Sequence, residues 1–149
     1  MNNYYEHILV AIDESPISYA AAEHALELAT AFKSKVTLLS IIAVDPFVGV
    51  DFYKIAPAIT EHFMKAEENA LARLNELKLS FERNNIPVQT KVVHGVSPSE
   101  GILNTVLSDE ISVVFMGSHG RTGLEKAVLG SVAQNVLNKA KVPIFIIKQ

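Results

Sequence analysis

Short runs of aliphatic and β-branched residues recur along the chain, separated by stretches in which apolar residues return every three or four positions. The first run, His7–Ile12 (HILVAI), predicts a strand covered on both faces and closed by Asp13. Ser15 followed by Pro16 is the pairing expected at an N-cap and first helical position, and Ala21, Ala25, Leu28, Ala29 and Phe32 continue at helical spacing. Val36–Ile42 (VTLLSII) predicts a second buried strand. Asp45–Pro57 then breaks the pattern with two prolines and a glycine and reads as a loop. Phe63, Ala66, Ala70, Leu74, Leu77 and Phe81 describe a long amphipathic helix that ends before Pro87.

Val88–His94 alternates as a third strand, and Ser97-Pro98-Ser99-Glu100 forms a capping box with proline at the first helical position. Ile111–Met116 (ISVVFM) predicts a fourth strand, Val132, Val136 and Ala140 mark a fourth helix, and Pro143–Ile147 (PIFII) a fifth strand. Strands alternating with helices need crossover connections, so the expected fold is α/β: an open, five-stranded parallel sheet with helices on both faces. No linker, repeat or low-complexity tract divides the chain, so residues 1–149 are expected to form one domain.

Composition narrows the function classes. At 149 residues and 49% apolar content the chain can build a core without disulfide or metal support. A formal charge of −3 provides no broad positive field for a nucleic acid. The absence of cysteine excludes disulfides, thiolate metal sites and cysteine nucleophiles. With no signal-like start and no apolar segment long enough to cross a bilayer, the expected location is the cytoplasm, away from membranes.

Four of the seven glycines, Gly117, Gly120, Gly123 and Gly130, fall within fourteen residues between a buried strand and a helix. Open parallel sheets take ligands at the carboxyl ends of their strands, which is where this segment leaves the fourth strand. Glycine lets backbone approach a phosphate closely or adopt positive φ, and the first amides of the next helix point at an anion with the helix dipole behind them. Ser131 suits either a phosphate contact or a helix cap. Neither a P-loop sequence with its lysine nor a G-x-G-x-x-G after the first strand is present, so the phosphate site is of another kind.

The spacing Gly117-Ser-His-Gly120, nine residues, then Gly130-Ser131 resembles the G-x2-G-x9-G-[ST] signature of ATP-binding universal stress proteins. The resemblance extends through ILVAID, LLSII, VVHGVSPSEGIL, VVFMGSHGRTG, LGSVAQNV and VPIFII. It implies a Rossmann-like sheet ordered 3-2-1-4-5, an adenine nucleotide as ligand, a homodimer, and a role in stress resistance with little or no catalysis. By the same resemblance Ala11, Ile12, Asp13 and Ile41 would hold adenine and ribose. Met116, Gly117, Gly120, Arg121, Gly130, Ser131 and Val132 would surround ribose and phosphates. Ser40 departs from the histidine that many relatives carry there, and Gly101 weakens the start of the third helix.

Other candidates keep two readings. Asp13 suits ribose, base or a Mg²⁺ held between phosphates, and equally an acidic residue near a helix N-terminus. Ser15 can reach a phosphate or cap its helix. His119 and Arg121 can pair with phosphate oxygens or stay solvated in the loop. His7, His24, His62 and His94 lack metal-ligand spacing and read as surface or strand-end residues. Phe47, Phe52 and Tyr53 cover a nucleotide, a partner or a sheet edge. The leading function is a nucleotide-binding regulatory protein; the rivals are a slow ATP hydrolase or adenylyl-transferring enzyme, and a structural dimer that binds no nucleotide. The apolar run Pro143–Ile147 lies at a sheet edge in the implied strand order, so it predicts antiparallel pairing of fifth strands across a two-fold axis.

Overall fold

The computed structural model describes residues 3–43, 52–119 and 129–148, with residues 52–60 described in their backbone only. The elements follow as β1 (His7–Ala11), α1 (Pro16–Phe32), β2 (Lys35–Ile42), α2 (Phe52–Arg83), β3 (Val88–His94), α3 (Pro98–Ser108), β4 (Val113–Gly117), α4 (Ser131–Lys139) and β5 (Ile144–Ile147). The strands lie in the order β3-β2-β1-β4-β5, every neighbouring pair parallel, as the resemblance implied.

Side-chain alternation along the strands builds two apolar layers. Ile8, Val10, Val36, Leu38, Val113 and Phe115 pack on one face with Ala21, Ala25 and Ala29 of α1 and Leu74 and Phe81 of α2. Leu9, Leu39, Val114 and Met116 pack on the other with Ile102 and Val106 of α3 and Ala133 and Val136 of α4. Because both faces are covered, the central strands read as continuous apolar runs rather than as alternating ones.

Two predicted boundaries shift by local hydrogen bonding. β1 ends at Ala11, yet the Ile12 amide still donates to the Leu39 carbonyl at 2.8 Å. Ile111 precedes β4, because its amide turns back to the Val106 carbonyl at 3.1 Å to close α3.

The loop expected over Asp45–Pro57 is corrected at its far end: α2 begins at Phe52 and runs through Pro57. A proline inside a helix removes one backbone donor, and a helix of 32 residues retains the rest of its ladder. The other residues of that expected loop, 45–51, lie outside the described residues. At 32 residues α2 is about 48 Å long, against about 26 Å for the eight residues of β2. Its C-terminal half covers the sheet through buried Ala70, Leu74 and Phe81. Its N-terminal half therefore projects past the carboxyl ends of the strands, where Phe63 and Ala66 are half-buried.

The amino ends of the strands hold a closed polar network. His7, expected at the surface or a strand end, starts β1 but is only 5% exposed. Its Nδ1 lies 3.1 Å from the Asp109 carbonyl and its Nε2 2.8 Å from Thr37 Oγ1, which accepts from Gln89 Nε2 at 2.9 Å. A neutral imidazole with the proton on Nδ1 satisfies every one of these groups, Thr37 donating to Nε2. Lys91 pairs with the Asp109 carboxylate at 3.2 Å. Burial pushes the His7 imidazole below its ordinary value, the charge of Lys35 adding to the effect.

Candidate functional site

At the opposite end of the sheet a cleft of about 1410 Å³ opens among the carboxyl ends of β1, β2 and β4, the first turn of α1, the projecting half of α2 and the start of α4. β1 lies between β2 and β4, and the connections on its two sides pass to opposite faces of the sheet. A crevice forms at such a switch point because the two chains diverge there.

Every site residue expected from the sequence that the structure describes lines this cleft. Ala11, Ile12, Asp13 and Ser15 come from the exit of β1, Ile41 from β2, and Met116, Gly117 and His119 from the exit of β4. Gly130, Ser131 and Val132 come from the start of α4. Gly120 and Arg121 lie outside the described residues, as do Phe47 and the side chains of Phe52 and Tyr53.

Gly117 and Gly130 serve close approach rather than positive φ, which among the described glycines occurs at Gly95. A Cβ on Gly117 would meet Ile17 Cγ2 at 2.6 Å. A Cβ on Gly130 would stand 3.1 Å from the His119 Cα and 3.2 Å from the Ser118 carbonyl oxygen, to which the Gly130 amide donates at 2.7 Å. The chain thus leaves β4 and comes back onto its own turn, and absence of a side chain at Gly130 is what lets the two segments touch.

That contact places the N-terminus of α4 beside the β4 exit. Gly130 is the N-cap, in extended conformation, and no side chain caps the helix. The first intrahelical bond runs from the Gln134 amide to the Gly130 carbonyl at 3.0 Å. The amides of Ser131, Val132 and Ala133 are left without a backbone acceptor among the described residues, as expected for a helix start. The capping alternative for Ser131 is corrected: it is the first helical residue, exposed, so its hydroxyl is not the cap.

Asp13 and Ser15 form the facing edge. Ser15 occupies the N-cap position of α1, but its hydroxyl turns to Asp13 Oδ1 instead of capping, and its amide donates to the same oxygen at 2.8 Å. Ser18 Oγ reaches the Asp13 carbonyl at 2.9 Å. This turn fixes the carboxylate at the cleft edge through one oxygen.

Several residues were missed by sequence reasoning. Ser40, noted as a departure from the family pattern, is buried and donates to the Ile12 carbonyl at 2.7 Å, tying the ends of β1 and β2 together. Gly101 of α3, read as a weak helix start, gives Ile41 its room: a Cβ there would stand 2.7 Å from Ile41 Cδ1. Phe63 and Ala66 belong to the stripe read as helix core, but face the cleft because α2 outruns the sheet. Arg73, also on the cleft wall, carried no sequence signal. His62 lines the cleft as well, and His94 pairs with Glu67 at 3.7 Å.

Among the described residues no group of three or more His, Cys, Asp or Glu is placed to hold a metal ion. No described helix is long and apolar enough to cross a membrane.

Fold and site together define a doubly wound α/β protein with a cleft at its switch point. Comparison with known proteins specifies the class further. The sequence profile of the universal stress protein family matches residues 4–148, and the chain belongs to that family. Universal stress protein MJ0531 of Methanocaldococcus jannaschii is 30% identical over 147 residues, covering 99% of this chain and 84% of that protein. Among solved structures, universal stress protein UspA from Lactobacillus plantarum superposes with a TM-score of 0.87 at 19% identity, over 97% of this chain and 98% of its own. The M. jannaschii protein MJ0577 gives a TM-score of 0.80 at 28% identity, over 98% and 97% of the two chains. Two further universal stress proteins of this fold, each 19% identical, were solved with cAMP and, from Archaeoglobus fulgidus, with dAMP.

Proposed function

We propose that this chain is a nucleotide-binding regulatory protein of the stress response, one domain over residues 1–149 acting in the cytoplasm, and that ATP is its ligand. One observation carries the reading: the three amides at the start of α4, which have no backbone acceptor among the described residues, are held against the Ser118–His119 turn by the Gly130 contact, inside the cleft. Free amides with a helix dipole behind them match a phosphate. Relatives of the same fold hold adenine nucleotides, which supports that ligand class.

In this reading Ala11, Ile12, Asp13 and Ile41 receive base and ribose. Met116, Gly117, His119, Gly130, Ser131 and Val132 enclose the phosphates, with Gly120 and Arg121 of the signature and Ser15 across from them. A Mg²⁺ ion fits only as one carried by the phosphates, with Asp13 as its protein neighbour; it would neutralise phosphate charge. Turnover is expected to be slow, since Asp13 Oδ1 is already committed to Ser15 and no P-loop lysine is present.

Calorimetric titration with ATP and with Mg²⁺-ATP tests the binding. Saturating ligand should raise the melting temperature by mass action, by about 2.7 kcal/mol of stability at a hundred times Kd. No heat and no shift would leave a structural protein as the better description. Sustained hydrolysis on the order of 10 per second, lost in Asp13→Asn, would favour the enzyme.

The homodimer belongs to the same proposal. β5 is an edge strand, and Phe145 on it is 37% exposed. Ile146 packs inward on the layer beneath α4, and Phe145 is the more exposed of the two though its ring stacks on Phe115 at 4.4 Å, so the probe is Phe145→Lys with its melting followed alongside. Light scattering should give twice the chain mass for the parent and a shift toward monomer for the variant. A monomeric parent would remove the interface.

A further inference from the structure

The glycine turn accounts for one side of the cleft, and α2 builds another wall. Across the sheet, β4 is separated from β2 by β1 alone, which at ordinary strand spacing is about 10 Å. A nucleotide with its phosphates at the β4–α4 corner and its long axis across the strand ends therefore brings its base over β1 and β2. That places the base beneath α2, which packs on β2 and β3. There the floor is Ile12, with Ile41 beyond it on the α3 side of the sheet, and the wall is Phe63, Ala66, Ala70 and Arg73, spaced along one face of the helix. An apolar floor suits the underside of a ring.

Arg73 stands out on this wall. It is half-buried and lines the cleft, and among the described residues it has no ion pair or hydrogen bond. By contrast Lys78 one turn further along pairs with Glu82 at 3.6 Å, and Lys91 pairs with Asp109. A guanidinium is planar and weakly hydrated, so it stacks readily on an aromatic ring while keeping its edges in water.

The geometry points to Arg73 as a base-contacting residue: its guanidinium lies against the ring of the bound nucleotide, making α2 the specificity wall of the cleft. This inference rests on the nucleotide reading above. It differs from a phosphate contact in a measurable way, because a residue that touches the ring should matter as much for adenosine as for ATP.

The test is calorimetric titration of the parent, Arg73→Ala and Arg73→Lys with both ATP and adenosine. Alanine is helix-favouring, so unchanged circular dichroism and melting are expected for the unliganded variants. Arg73→Ala should weaken ATP and adenosine by the same factor, about tenfold, and lysine should restore only part of the loss because it keeps the charge and not the plane. A loss confined to ATP would make Arg73 a phosphate ligand and overturn the inference, as would unchanged affinity for both. If the parent itself bound neither ligand, the nucleotide reading would fall first.

Discussion

At the amino ends of the strands His7, Thr37, Gln89, Asp109 and Ser112 satisfy one another, whereas at the carboxyl ends the amides of Ser131–Ala133 and the Arg73 guanidinium have no protein partner among the described residues. Both ends gather polar groups around half-buried strand termini, so polarity alone does not distinguish them. Satisfaction does. A network that closes on itself lowers the cost of burial and fixes strand register, while donors left open in a concave cleft keep their bonding capacity for a ligand. One exception at the closed end is Ser34, whose hydroxyl is buried without a partner.

The largest expected break in this contrast is Ser131→Asp. A carboxylate at the first turn of α4 favours the helix dipole, so melting should stay level or rise slightly. The same charge placed against phosphates should weaken ATP by about a hundredfold. If calorimetry shows parent-like affinity, the phosphates lie elsewhere. Gly130 is a poorer probe, because a Cβ there stands 3.1 Å from the His119 Cα and 3.2 Å from the Ser118 carbonyl oxygen and would displace the turn as well as meet a ligand.

At the closed end His7→Leu should do the reverse. It strips partners from the Asp109 carbonyl and the Thr37 hydroxyl, costing about 1–3 kcal/mol, which chemical denaturation would measure, while ATP affinity per folded molecule should not change. Altered nucleotide affinity would show that the two ends communicate.

A smaller effect is pH dependence. Burial holds the native His7 imidazole below the ordinary 6.5, so as pH falls below that value the unfolded chain binds a proton that the native chain does not. Stability should therefore be flat above about pH 6.5 with respect to this group and decline below it. The decline should end once pH reaches the lowered native value, and its slope is at most about 1.4 kcal/mol per pH unit. Denaturation profiles of parent and His7→Leu should differ in that window; identical slopes would mean that the fold does not hold the His7 imidazole below its unfolded value. Smallest is Lys91→Met, which removes a partly exposed pair worth at most about 1 kcal/mol.

Much of this was legible along the chain. Five strands and four helices followed from apolar periodicity because a parallel sheet buried on both faces leaves uninterrupted runs such as ILVAI and VTLLSII. The glycine segment at the exit of β4 was legible because open parallel sheets take ligands at the carboxyl ends of their strands, whereas Ala11, Ile12 and Ile41 at the exits of β1 and β2 were named by the family resemblance. The glycine spacing marked the turn, and at Gly117 and Gly130, its two described glycines, the reason is close approach to Ile17 and to the Ser118–His119 backbone rather than positive φ.

What the amino-acid sequence determined by itself was local: which segments form strands and helices, where the capping box at Ser97 and Glu100 starts α3, and which loop carries the glycines. Tertiary structure decided everything that depends on residues far apart meeting. His7 reaches Asp109 across 102 positions and Thr37 across 30, so no window of sequence shows the closed network. Pro57, expected in a loop, lies inside α2 because one lost hydrogen bond is small against a 32-residue ladder. Arg73 lines the cleft because α2, packed over β2 and β3, turns one face of the helix toward the strand ends, and that placement depends on elements far apart in sequence.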